Sequence, residues 1–253
     1  MSTSWALLLE YDGTAFVGWQ FQPSGLSVQQ VLEDAASKLA QGVAVRSFVA
    51  GRTDAGVHAT GQVAQIELAA SFRPERLREA LNFHLKPHPV VVLQAAMVPE
   101  GWNARFSARA RHYRYVILNR RARPALELDR VWHVPAPLDA GAMAEAAGFL
   151  LGRHDFSSFR ASSCQANGPV RTLDRLEVRR EGERIVIEAS ARSFLHHQVR
   201  NMVGTLCWFG EGRYDPEFMK VILSSASRAT AGPTAPSAGL VLTGVLYDPD
   251  PFS

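Results

Sequence analysis

Hydrophobic residues along this chain switch between a period of two and a period of about 3.6, and the switches come in the same order twice. Residues 5–11 read as a strand. Behind Ser27 and Gln30, the residue pair of a capping box, Val28, Val31, Leu32, Ala35, Ala36 and Leu39 recur at helical spacing. Strand-like runs follow at 45–50 and 62–68, and Pro74 opens a helix with Leu77, Ala80 and Leu81 on one face. Residues 90–98 read as a further strand.

The second half repeats that order with a strand at 109–119, a helix from about 140 to 151 ending at Gly152, and strands at 173–179 and 184–192. Val199, Met202, Val203 and Leu206 form the apolar stripe of the next helix, a short helix starts near Asp215 and Pro216, and 240–247 supplies the last strand. Each pass reads βαββαβ, the split βαβ arrangement of ferredoxin-like domains. The expected fold is therefore α+β, built from two such halves, residues 1–104 and 105–253. Element order, not sequence identity between the halves, carries this duplication.

Composition narrows the class. A chain of 253 residues with 47% hydrophobic and 20% charged residues is an ordinary globular one with room for a large core. No apolar run approaches the roughly 18 to 20 residues needed to cross a bilayer, and the first residues do not read as a signal stretch, so a cytoplasmic protein is expected. Cys164 and Cys207 are too few for a disulfide framework and lack the paired spacing of a zinc site, so both are predicted to be reduced.

Net charge is only +3, yet the basic residues are 24 arginines against 3 lysines. Eight of the arginines fall between Arg105 and Arg130, where Glu127 and Asp129 are the only acids. Arginine pairs with phosphate bidentately and stacks on bases, so such a cluster suits RNA; a solvated charged face is the plainer alternative.

The run Gly51-Arg52-Thr53-Asp54-Ala55-Gly56-Val57-His58-Ala59 places a carboxylate near a guanidinium in a loop between two strands, with Gly51, Gly56 and Gly61 permitting tight turns. An Asp close to a Gly is also a common turn signal. Further motifs are Tyr11-Asp12-Gly13-Thr14-Ala15-Phe16-Val17-Gly18-Trp19-Gln20, Arg111-His112-Tyr113-Arg114-Tyr115 and His154-Asp155-Phe156-Ser157-Ser158-Phe159. Phe194 to Gly204 and Ala235-Pro236-Ser237-Ala238-Gly239-Leu240 complete the set. The Asp54 loop resembles the catalytic motif of the pseudouridine synthases, and the full set is similar to that of their A family, the tRNA pseudouridine synthases acting on the anticodon stem-loop. Three positions depart from the family pattern: Gln198, Val17 and His112 stand where a methionine, an aromatic and a basic residue are more usual.

The resemblance implies the pseudouridine synthase fold with an active-site cleft between the halves, and an isomerase that converts uridine to pseudouridine on the 3′ side of the tRNA anticodon stem-loop. It also implies a homodimer and no cofactor. Asp54 is then the nucleophile, attacking ribose C1′ or uracil C6. Arg200 is its guanidinium partner, favouring the ionised carboxylate. Tyr113 stacks on the target base and helps remove the carbon 5 proton. From the residues alone, Tyr113 shares a strand face with Tyr115 and Ile117 and also reads as sheet packing, while Arg200 on an amphipathic helix also reads as a surface residue. Base access in a paired stem requires extrusion, and Arg52 is the side chain expected to hold the vacated position. The local charge excess makes Arg111 and Arg114 expected phosphate contacts.

The eight histidines, including His84 with His88 and the pair His196 and His197, do not form a convincing ligand pattern, and no required metal is expected. Neither a P-loop nor a GxGxxG motif is present, so no nucleotide cofactor is indicated. A non-catalytic RNA-binding or tRNA-folding module is the alternative from another class, and a metal hydrolase a distant third.

Overall fold

The structure, a computed structural model, describes residues 2–69 and 72–253. In chain order its elements are β1 (Thr3–Tyr11), α1 (Val28–Leu39), β2 (Ser47–Val49), β3 (His58–Leu68), α2 (Pro74–Leu85) and β4 (Val90–Met97). These are followed by β5 (Ala110–Leu118), β6 (Trp132–His133), α3 (Ala140–Gly148), β7 (Gly152–Asp155), β8 (Val170–Glu181) and β9 (Arg184–Ala191). The last are α4 (Gln198–Gly210), α5 (Phe218–Ser224) and β10 (Leu240–Leu246). The α+β class read from the periodicity is the one observed, in two compact units: Met1–Arg111 with Val241–Ser253, and His112–Leu240. No helix among the described residues is long and apolar enough to cross a membrane.

In the first unit β1 lies between β4 and β3, antiparallel to both. Trp5, Leu7 and Leu9 of β1 are fully buried, as are Val28 and Leu32 of α1 and Leu77 and Leu81 of α2. Leu8 points to the opposite sheet face and packs on a second cluster of Ala50, Val63, Ala104, Ala108 and Tyr247, as strand alternation requires. Ser27 caps α1: its buried hydroxyl accepts the Gln30 N–H at 3.1 Å.

The outer edge of β3 is shared. β2 pairs with residues 64–66 only, and the parallel β10 takes the other end, with Val241 opposite His58 and Leu242 opposite Ala59. Gly61 is therefore a strand residue, and its expected role in a turn is corrected. A Cβ there would lie 2.4 Å from the Thr243 carbonyl oxygen, so glycine is needed for β10 to approach. The last strand of the second pass in sequence order thus belongs to the first unit.

In the second unit the strand order is β5-β9-β8-β7, with β6 parallel to β5. β8 and β9 form a long hairpin closed by Gly182 in the left-handed region at φ +59°. The helix expected to reach residue 151 ends at Gly148, and Gly152, at φ +92°, opens β7 instead of capping the helix. β6 and β7 are only two and four residues long, too short to show a period in the sequence.

Candidate active site

Asp54 lies half-buried in the loop between β2 and β3, as expected. Nearly every residue around it is tied down. Gln62, fully buried on β3, donates its Nε2 to the Gly51 carbonyl at 2.7 Å and to the Tyr11 hydroxyl at 3.3 Å. The Tyr11 hydroxyl bonds Thr53 Oγ1 at 2.8 Å, and the Thr53 carbonyl accepts the Trp19 N–H at 3.0 Å. The Asp54 carbonyl accepts the Val57 N–H at 3.1 Å, closing a turn in which Gly56 has φ +75°.

The opening motif explains itself against this loop. At Gly18, φ is +106°, and a Cβ would lie 2.7 Å from the Thr53 carbonyl oxygen; at Gly13 a Cβ would lie 2.0 Å from the Val57 carbonyl oxygen. Only glycine lets residues 12–20 fold this closely over the Asp54 loop. Gly13 N–H donates to His58 Nδ1 at 3.1 Å, and Asp12 accepts from both the N–H and the hydroxyl of Thr14. A bulge in the β1–β3 register falls between Leu9 and Tyr11, where the strand enters this network.

In the second unit Tyr113 is half-buried on β5, its ring edge-on to Phe194 with centroids 5.2 Å apart. Its strand neighbours Tyr115 and Ile117 are fully buried, so the packing role belongs chiefly to them. Arg200 is half-buried in the first turn of α4, whose N-cap, His197, sits in the left-handed region at φ 62°. Backbone and side chain of Arg200 are both fixed by one residue: Arg200 Nε donates to the Ala235 carbonyl at 2.8 Å, and the Ala235 N–H donates to the Arg200 carbonyl at 3.1 Å.

The remaining motifs support that helix. The Tyr115 hydroxyl donates to the Pro236 carbonyl at 2.8 Å, and a Cβ on Gly239 would meet the Tyr115 ring at 2.7 Å. Burial pushes the Tyr115 phenol far above its ordinary range. Asn201 Nδ2 donates to the Phe159 carbonyl at 2.8 Å, which ties α4 to the 154–159 motif. Gln198 is buried, and its Oε1 accepts the Leu195 N–H at 2.8 Å; the departure from methionine is filled by a capping contact.

The three arginines expected to bind RNA separate. Arg52 is exposed beside Asp54. Arg114 is half-exposed and pairs with Glu188 at 3.0 Å, a carboxylate that Arg175 and Arg179 also reach. Arg111, expected to contact phosphate, is turned inward. It is 7% exposed, and its guanidinium donates to the carbonyls of Ala50 at 2.6 Å and Arg105 at 2.7 Å. A guanidinium has five donors and no acceptor, so it satisfies several buried carbonyls at once where the chain bends into the Asp54 loop. Tyr11, Thr53 and Asn201 lie in the quoted motifs but had been given no role, and Gln62 lies in none of them. Gln62 opened the run 62–68, which also holds Gln65 and Glu67, so its polarity gave no signal of its own.

Comparison with known proteins decides the family. The model of the tRNA pseudouridine synthase family matches residues 8–107 and 146–248. This chain belongs to that family. It is 65% identical over 249 residues to tRNA pseudouridine synthase A of Acidiphilium cryptum (strain JF-5), covering 98% of each chain. It is 59% identical over 241 residues to tRNA pseudouridine synthase A of Paramagnetospirillum magneticum (strain ATCC 700264 / AMB-1), covering 95% of this chain and 94% of the relative. To the protein of the same name from Gluconobacter oxydans (strain 621H) it is 53% identical over 251 residues, covering 98% and 91%. The stretch between the two family matches, 108–145, contains Tyr113 and most of the arginine cluster.

Proposed function

We propose that this protein isomerises uridine to pseudouridine in tRNA, on the 3′ side of the anticodon stem-loop, without a cofactor. The observation that carries this reading is the 65% identity over 98% of the chain to a relative named tRNA pseudouridine synthase A. Asp54 is assigned the nucleophile's role. It forms a bond to ribose C1′ or uracil C6 as the N-glycosidic bond breaks, and the base then turns so that carbon 5 joins C1′. A carboxylate bonded to C1′ is displaced by carbon 5, one bonded to C6 leaves as the carbon 5 proton is lost, and N1 gains a proton, so Asp54 returns free. Tyr113 stacks on the base and helps remove that proton; Arg200 favours the charged carboxylate. Arg52 holds the position vacated by the extruded nucleotide, and Arg114 contacts phosphate. The halves divide this work, the first carrying the Asp loop and the second the tyrosine strand and arginine helix. The enzyme acts in the cytoplasm as a homodimer, and light scattering that gives the mass of one chain overturns the dimer.

Tritium release from tRNA labelled at uracil carbon 5 tests the reaction, with no added metal or nucleotide. Wild type is expected to release tritium and Asp54→Ala to bind tRNA without release. An intact wild type that binds tRNA and releases nothing is a binding module.

A further inference from the structure

We infer that Tyr11, held by Gln62 and acting through the Thr53 hydroxyl, is a positioning residue that fixes the Asp54 loop for chemistry. The inference rests on the nucleophile's role for Asp54 and deepens it. All three residues are buried, and they come from three places in the sequence: β1, the loop and β3. Gln62 leaves its amide no freedom. Its two N–H groups go to the Gly51 carbonyl and the Tyr11 hydroxyl, and its Oε1 accepts the Val63 N–H at 3.1 Å. The Tyr11 hydroxyl, which accepts from Gln62, also shares a 2.8 Å hydrogen bond with Thr53 Oγ1, in which either hydroxyl can donate.

The consequence falls on Asp54 because Thr53 is its immediate neighbour. The Thr53 carbonyl is already fixed by Trp19 N–H, so the hydroxyl contact is a second, independent constraint on the same residue. A turn needed only for folding would require no buried side-chain chain of this kind, since loops usually satisfy their polar groups with water. A loop carrying a nucleophile does, because a misplacement of about 1 Å at the reacting atom lowers the rate by roughly a hundredfold. Burial pushes the Tyr11 phenol up to about 12, against the opposing hydrogen bonds with Thr53 and Gln62, so the hydroxyl stays protonated at neutral pH.

The test compares Tyr11→Phe, Thr53→Val, the double variant, Thr53→Ser and Asp54→Asn. Single-turnover rate at saturating tRNA, tRNA affinity and thermal midpoint are measured for each. Tyr11→Phe and Thr53→Val are each expected to lower the rate about ten- to a hundredfold with tRNA affinity unchanged. The double variant falls no further than either single one, because both remove the same bond. Thr53→Ser, which keeps the hydroxyl, restores the rate. Unchanged rates in folded Tyr11→Phe and Thr53→Val, or additive losses in the double variant, overturn the inference while leaving the synthase reading intact. Full turnover by Asp54→Asn, or none by wild type, overturns the synthase reading itself and this inference with it.

Discussion

Arg111 shows how far a single residue's role depends on what folds around it. In the sequence it is one of eight arginines in a basic stretch; in the structure it is a buried clamp on the carbonyls of Ala50 and Arg105. Arg111→Ala is therefore expected to lower stability by about 2 kcal/mol, since it leaves buried acceptors without donors. The salt dependence of tRNA binding should stay as it is, whereas Arg114→Ala should flatten it. Urea unfolding and tRNA titrations over a salt series separate the two, and a flattened slope for Arg111→Ala returns it to the RNA surface. The loop that carries Asp54 was legible because its motif is contiguous. The Tyr11–Thr53 and Gln62–Tyr11 bonds join residues 42 and 51 positions apart, a pairing that local sequence does not record.

At the scale of elements, α4 is the clearest case of sequence pattern becoming a tertiary fit. Its apolar stripe was readable from Val199, Met202, Val203 and Leu206, all buried. What the stripe does not reveal is the face at Gly204, where a Cβ would lie 1.8 Å from the Pro233 carbonyl oxygen. Gly204→Ala is expected to push the 232–235 segment away, cost about 2 kcal/mol, and loosen the two bonds between Ala235 and Arg200. A urea midpoint equal to that of wild type refutes this close fit. β6 and β7 escaped the sequence reading for a different reason: they are additions to strands already in place, with too few residues to carry a pattern of their own.

At the scale of the whole molecule, three buried phenols set an alkaline limit. Burial raises Tyr11 to about 12 and pushes Tyr115 and Tyr247 higher, against an ordinary value of 10.0. Above that ordinary value the unfolded chain releases these protons while the folded one retains them, so stability declines with rising pH. Their contribution is complete below pH 10 and, for Tyr11, lost through the window from 10 to about 12. Urea unfolding at successive pH values should show this decline, shallower in Tyr11→Phe; identical slopes would remove Tyr11 from the account. The placement of β10 bears on how the chain is made. Residues 241–253 leave the ribosome after the entire second unit, yet they complete the first by covering β3 at His58 and Ala59. Throughout synthesis of the second unit the nascent first unit holds that strand edge uncovered, directly beside the loop that carries Asp54.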